Sequence, residues 1–145
     1  MRVVCDLVRI DPITHEMPEY PATGICGGVA SGPDGALWFT AHHINKIGRF
    51  DLSTKQVDEY TVPTTNSNTD NIISGPDGAV WFTEFYAGKI GRIDTNTHRI
   101  SEYLTPTRNS GPLRIVKGSD GALWFTEAFA NKIGQIILPA DSVIP

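Results

Sequence analysis

The chain has 145 residues, 40% hydrophobic and 19% charged, with a formal net charge of −4 from 12 basic and 16 acidic side chains. The basic residues come singly, which leaves no electrostatic footprint for nucleic acid or an anionic membrane. The longest apolar runs fall far short of the roughly 20 residues of a bilayer-spanning helix. What remains is a globular chain sized for one domain. Its first 12 residues, interrupted by Asp6 and Arg9, read as mature and cytoplasmic. Cys5 and Cys26 allow at most one disulfide and no metal-ligand spacing, so buried or incidental thiols are expected.

In chain order, Val8-Arg9-Ile10-Asp11 and Glu16 to Tyr20 come first and read as the outer two strands of a unit that lacks its inner two. A repeat follows. SGPDGALWFTAHHINKIGR from Ser31, SGPDGAVWFTEFYAGKIGR from Ser74 and KGSDGALWFTEAFANKIGQ from Lys117 superpose without gaps, with Trp38, Trp81 and Trp124 on a period of 43 residues. Each unit reads as four short strands. The first ends at a turn in which Pro76 presets φ and Gly78 accepts a positive φ. The second, such as Ala79-Val80-Trp81-Phe82-Thr83, is aromatic and β-branched with both faces apolar, so both faces must be covered. A five-residue connection ends in Asn45, Gly88 or Asn131 and leads to the third strand, KIGRF, KIGRI or KIGQI. A polar turn after Asp51 or Asp94 leads to the fourth, VDEYTV or ISEYLT, with Tyr60 and Tyr103 in matching places for packing.

No segment keeps helical apolar spacing over three turns. The predicted class is therefore all-β, a β-propeller of four-stranded blades, since a unit of this length has the period of a blade and buries its two faces only by stacking on neighbours. The expected division is a partial blade over 1–25, blade 1 over 26–68, blade 2 over 69–111, and blade 3 over 112–145 with its outer strand missing or supplied in trans. That is about three and a half blades, a half-propeller.

GPDGALWFTE followed by NKIGRI and EYxxP closely resembles the virginiamycin B lyase family, over nearly the whole chain. The resemblance implies a seven-bladed propeller that linearises cyclic streptogramin antibiotics by magnesium-dependent elimination. The chain is about half the family length, so two copies are expected to complete a ring as a homodimer. A strict two-fold axis requires an even count of blades, six, or eight if the terminal halves pair into a blade. The N-terminal strand, His15 to Tyr20, is expected to cross and finish the partner's third blade.

Ligands of a propeller bind at the axial mouth, formed by the starts of the first strands and by the connections after the second. Candidates there are Asp70, Asn71 and Arg114 on first strands, with Tyr86 on a connection, for a small-molecule or peptide ligand. The family implies a catalytic His in a Pro-His-Gly-Ile element opening a first strand. The matching segments, Cys26-Gly27-Gly28-Val29, Thr69-Asp70-Asn71-Ile72 and Pro112-Leu113-Arg114-Ile115, carry none. His42 and His43, which replace Glu-aromatic in the first repeat, are the remaining candidates for a base, and only one of an adjacent pair on a strand would face the channel. Glu84 and Glu127 are candidate ligands for Mg²⁺, which takes oxygen donors. The competing reading gives these glutamates hydrogen bonds to neighbouring backbone. Asp70 and Arg114 could equally form an inter-blade ion pair. His15 and His98 fall in rim turns and are expected in solvent.

Overall fold

The structure, a computed structural model, describes residues 4–24 and 27–143. The readings of Cys26 and of the Cys5 side chain lie outside the described residues. Four antiparallel sheets follow one another along the chain. β1 (Val4–Val8) and β2 (Glu19–Thr23) form a two-stranded half-blade. Blade 1 holds β3 (Val29–Ser31), β4 (Leu37–Ala41), β5 (Lys46–Phe50) and β6 (Val57–Thr61). Blade 2 holds β7 (Thr69–Ser74), β8 (Ala79–Glu84), β9 (Lys89–Asp94) and β10 (Ile100–Leu104). Blade 3 has three strands among the described residues, β11 (Pro112–Lys117), β12 (Leu123–Glu127) and β13 (Lys132–Ile136). This is the half-propeller that the period predicts. Among the described residues no helix is long and apolar enough to cross a membrane.

The N-terminal strands sit at Val4–Val8 and Glu19–Thr23, not at 8–11 and 16–20. The turn between them explains the shift. Asp11 Oδ1 accepts from the N–H groups of Ile13 and Thr14 at 2.8 and 3.0 Å, and His15 closes the turn at φ 60°. Asp51 and Asp94 build the same turn, with Lys55 at φ 61° and His98 at φ 60°. Pro18 accepts from the Arg9 N–H at 3.2 Å but has no N–H to return the bond, so the regular ladder ends early before the first turn. His15 and His98 are exposed in these turns, as expected, and the His98 ring lies 4.6 Å from that of Tyr60 on blade 1.

Each blade is clasped by its own turn. Asp34 accepts from Trp38 Nε1 at 2.9 Å and from Arg49 Nε at 2.7 Å, and Asp77 does the same for Trp81 and Arg92 at 3.0 and 2.8 Å. The core lies between blades. Trp38, Ile47 and Val62 of blade 1 pack on Ile72, Val80, Phe82 and Ile93 of blade 2. Trp81 and Ile90 pack likewise on Ile115, Leu123 and Phe125. Leu7, Tyr20 and Ala22 cover Phe39 and Phe50 at the N-terminal side.

Candidate functional site

The threonines of the first two Trp-Phe-Thr strings tie one blade to the next. Thr40 Oγ1 accepts from the Gly28 N–H and donates to the Asp70 carbonyl, both at 2.8 Å. Thr83 accepts from the Asn71 N–H at 3.0 Å and donates to the Leu113 carbonyl at 3.1 Å. These bonds draw the first strands of neighbouring blades together at the mouth. A side chain on Gly27 would meet the Asp70 carbonyl oxygen at 2.7 Å, so this close approach requires glycine.

β7 and β11 each open with a bulge, between Thr69 and Ile72 and between Pro112 and Ile115. A bulge re-aims the side chains that it takes out of the ladder. Here those residues are Asp70-Asn71 and Leu113-Arg114, and the result is an ion pair between blades: Arg114 Nη1 donates to Asp70 Oδ2 at 2.8 Å. Arg114 is largely exposed, so the pair contributes at most about 1 kcal/mol to stability. Asn71 Oδ1 accepts from the Ile115 N–H at 2.8 Å and so is engaged in holding blade 3.

His42 and His43 do not alternate as strand neighbours. They open a 3₁₀ turn at His42–Ile44, closed by Asn45 at φ 56°, and their rings stand 4.1 Å apart. Partial burial, and then the neighbouring His43, hold the His42 imidazole below its ordinary pKa of 6.5 against the opposing pull of Asp70. His42 is therefore neutral at pH 7, with one ring nitrogen free to accept a proton.

Tyr86 is 69% exposed and shares its face with Phe129, which is 67% exposed. Phe85 joins them, 5.3 Å from Tyr86 and 4.8 Å from Phe129. The sequence reading named Tyr86 but missed Phe85 and Phe129. The signal was present, because His43, Tyr86 and Phe129 fall on the 43-residue period.

Glu84 and Glu127 end β8 and β12 on separate blades and share no site. Glu84 is fully buried and neither carboxylate oxygen has a hydrogen-bond partner; Glu127 Oε1 also has none. The backbone bonds expected for Glu84 are not made. Burial first, then the charge of Glu102, push the Glu84 carboxyl up to about 8, against the pull of Lys89. These surroundings do not fit Mg²⁺. Glu102 is already held by Lys89 and Thr64, a cation stands beside the two carboxyls, and among the described residues no three metal-ligating side chains gather.

The family model for the virginiamycin B lyase family matches residues 14–143. A catalytically inactive His-to-Ala form of virginiamycin B lyase from Staphylococcus aureus, solved with quinupristin, is similar at 39% identity and a TM-score of 0.84, over 90% of this chain and 45% of that one. A streptogramin B lyase structure is similar at 36% identity and a TM-score of 0.76, over 94% and 49%. A putative 6-phosphogluconolactonase from Bacteroides uniformis, at 12% identity and a TM-score of 0.75, shares the fold alone. The chain spans about half the length of these structures. No curated protein matches.

Proposed function

The chain belongs to the virginiamycin B lyase family, and from that membership we propose that it is a half-propeller which two copies close into a ring. The ring binds a small molecule or peptide at its axial mouth without the family's catalytic histidine. Asp70 and Arg114 supply the polar anchor between blades, and Tyr86 supplies apolar surface on the connection between β8 and β9. The observation that carries this reading is the pair of bulges at the starts of β7 and β11, which places a carboxylate and a guanidinium from neighbouring blades at one point of the mouth. The half-length match supports the two-copy ring.

One observation favours a second reading, a carbon–oxygen lyase acting on a streptogramin B-type antibiotic or a related ester. His42 is a neutral imidazole within the influence of Asp70, which suits removal of a proton α to a carbonyl. Elimination would break the ester C–O bond, leaving an alkene and a free carboxylic acid. No step is assigned to a metal, because the residues around Glu84 do not suit one.

Quinupristin separates the two readings. Calorimetric titration is expected to show binding that weakens in Asp70→Ala and Arg114→Ala, while chromatography with fragmentation shows the ring intact. Elimination leaves the mass unchanged, so fragmentation is the deciding readout. A linear product that disappears in His42→Ala would establish the lyase reading, and no binding at all would overturn both for this ligand.

A further inference from the structure

The repeat breaks at the outer strand of blade 3, and the other blades show which groups are left without partners there. In blade 1, Lys46 Nζ donates to Glu59 Oε2 and Thr23 Oγ1 donates to Glu59 Oε1, both at 2.7 Å. In blade 2, Lys89 Nζ donates to Glu102 Oε2 at 2.8 Å, and Thr64 gives its N–H and its hydroxyl to the same carboxylate at 2.9 and 2.8 Å. Each trio joins the lysine that opens the third strand, the glutamate of the fourth strand and a threonine from the preceding link. In blade 3, Lys132 and Thr107 are in place 3.3 Å apart. The glutamate is missing among the described residues. Among the described residues after β13 no strand follows: Leu138 packs on the core against blade 2 and Ala140–Ser142 form a 3₁₀ turn.

Asn131 is left in the same condition. Its equivalent Asn45 donates Nδ2 to the carbonyls of Val62 and Thr64 at 3.1 and 2.8 Å, which pins the link after the fourth strand. Asn131 has the same backbone, at φ 53°, but an exposed side chain that holds no link among the described residues. With Thr126, Glu127, Ala128, Lys132 and Ile133 it lines a cleft of about 560 Å³. Ile133 is 71% exposed there, whereas its equivalents Ile47 and Ile90 are 0% and 1% exposed.

The complement lies on β2. Glu19-Tyr20 stands where Glu59-Tyr60 and Glu102-Tyr103 stand in the whole blades. Its own neighbour strand serves it poorly. Asp6 faces Pro21 across β1 and β2, in the register where Lys46 faces Thr61 and Lys89 faces Leu104. Glu19 thus has a like charge where the other glutamates have a lysine. Ala22 occupies the place of Val62, the small apolar link residue that accompanies asparagine in blade 1. At the start of blade 1 Val29, 55% exposed, repeats the fully covered Ile72 and Ile115. A second copy brings the face that would cover it.

We propose that β2 of a second copy docks along the free edge of β13 as the outer strand of blade 3, with Glu19 of the second copy seated between Lys132 and Thr107. β13 then takes the edge of β2 that β1 holds in the single chain, so Lys132 replaces Asp6 opposite it. The ladder bonds lost to β1 are remade with β13, and the ion pair and the cover over Ile133 are gained. This contact rests on the two-copy ring and identifies what closes it.

Sedimentation equilibrium of the full chain tests it. The wild type is expected to dimerise, Lys132→Glu and Glu19→Lys each to weaken the dimer roughly tenfold or more, and the double variant to recover most of the loss. Far-UV circular dichroism checks that each variant keeps its sheet, and Glu19→Gln is read in the same way where a reversal unfolds the chain. A dimer indifferent to both charges, or a double variant as weak as the singles, overturns this contact and leaves the two-copy ring standing. A single-chain mass for the wild type overturns both.

Discussion

Replacing Glu84 by Gln keeps the shape of the side chain and removes its ionisation. In the folded chain the carboxyl is pushed up to about 8 from an ordinary value of 4.5, because it is buried and stands beside the charge of Glu102. A raised carboxyl keeps its proton in the folded state while the unfolded state has lost it, so between these two values stability falls as pH rises. At 1.36 kcal/mol per pH unit, the penalty that Glu84 imposes grows from about 2 kcal/mol at pH 6 to roughly 4 to 5 kcal/mol at pH 9. Glu84→Gln removes it. The variant's advantage over the wild type is therefore expected to widen by about 2 to 3 kcal/mol between pH 6 and pH 9. His42, whose pKa is lowered, also changes stability near pH 6, but it does so in both proteins and cancels in the difference. Urea unfolding of both proteins at pH 6, 7.5 and 9, at one protein concentration, measures the effect. Parallel stability curves would refute the account of Glu84 as a neutral, unpartnered acid.

Gly48 lies against the ring of Phe39, as Gly91 does against Phe82, and a Cβ at either position would enter the ring. Gly48→Ala is expected to cost about 1 to 3 kcal/mol in urea unfolding; Gly35→Ala, which meets nothing nearby, isolates the smaller cost of a positive φ. Thr83→Val removes both the acceptor for the Asn71 N–H and the donor to the Leu113 carbonyl at a fully buried site, with an expected loss of about 1 to 3 kcal/mol. Thr126→Val serves as its control, because that exposed threonine bonds only the Arg114 N–H, and equal losses at the two positions would refute the inter-blade role.

Blade order and strand count were legible because each unit carries its own turn and clasp. Asp34, Trp38 and Arg49 are close in sequence and recur as Asp77, Trp81 and Arg92, so a local pattern reports a local structure. The mouth was less legible because its geometry is made between blades. The bulge before Ile72 belongs to a strand whose Asp70 carbonyl answers to Gly28 and Thr40 of the preceding blade. Nothing within Thr69-Asp70-Asn71-Ile72 announces it. The 3₁₀ turn of His42 and His43 was hidden in another way. The five residues from Ala41 to Asn45 align with connections that have no 3₁₀ turn in the other repeats, and only the left-handed Asn45 at their end was foreseeable. Burial of Glu84 was invisible for a third reason: its position in the repeat put it on the connection that follows a covered strand, at the mouth, yet it is wholly enclosed.

The most informative departures from the repeat are paired. Blade 1 has Asn45 with Val62, and the asparagine amide holds the link. Blade 2 has Gly88 with Thr105, and there the link residue supplies the bond itself: the Thr105 hydroxyl meets the carbonyls of Gly88 and Thr107 at 3.0 Å and the Ser110 hydroxyl at 2.8 Å. One polar group is required at this corner, and either side of it can provide the group. With none, backbone at this corner would lose its partner. Blade 3 has the asparagine, so the strand that completes it needs no hydroxyl at the link. Ala22, apolar like Val62, repeats the pairing of blade 1. The empty corner is thus matched to β2 by its polar complement as well as by charge.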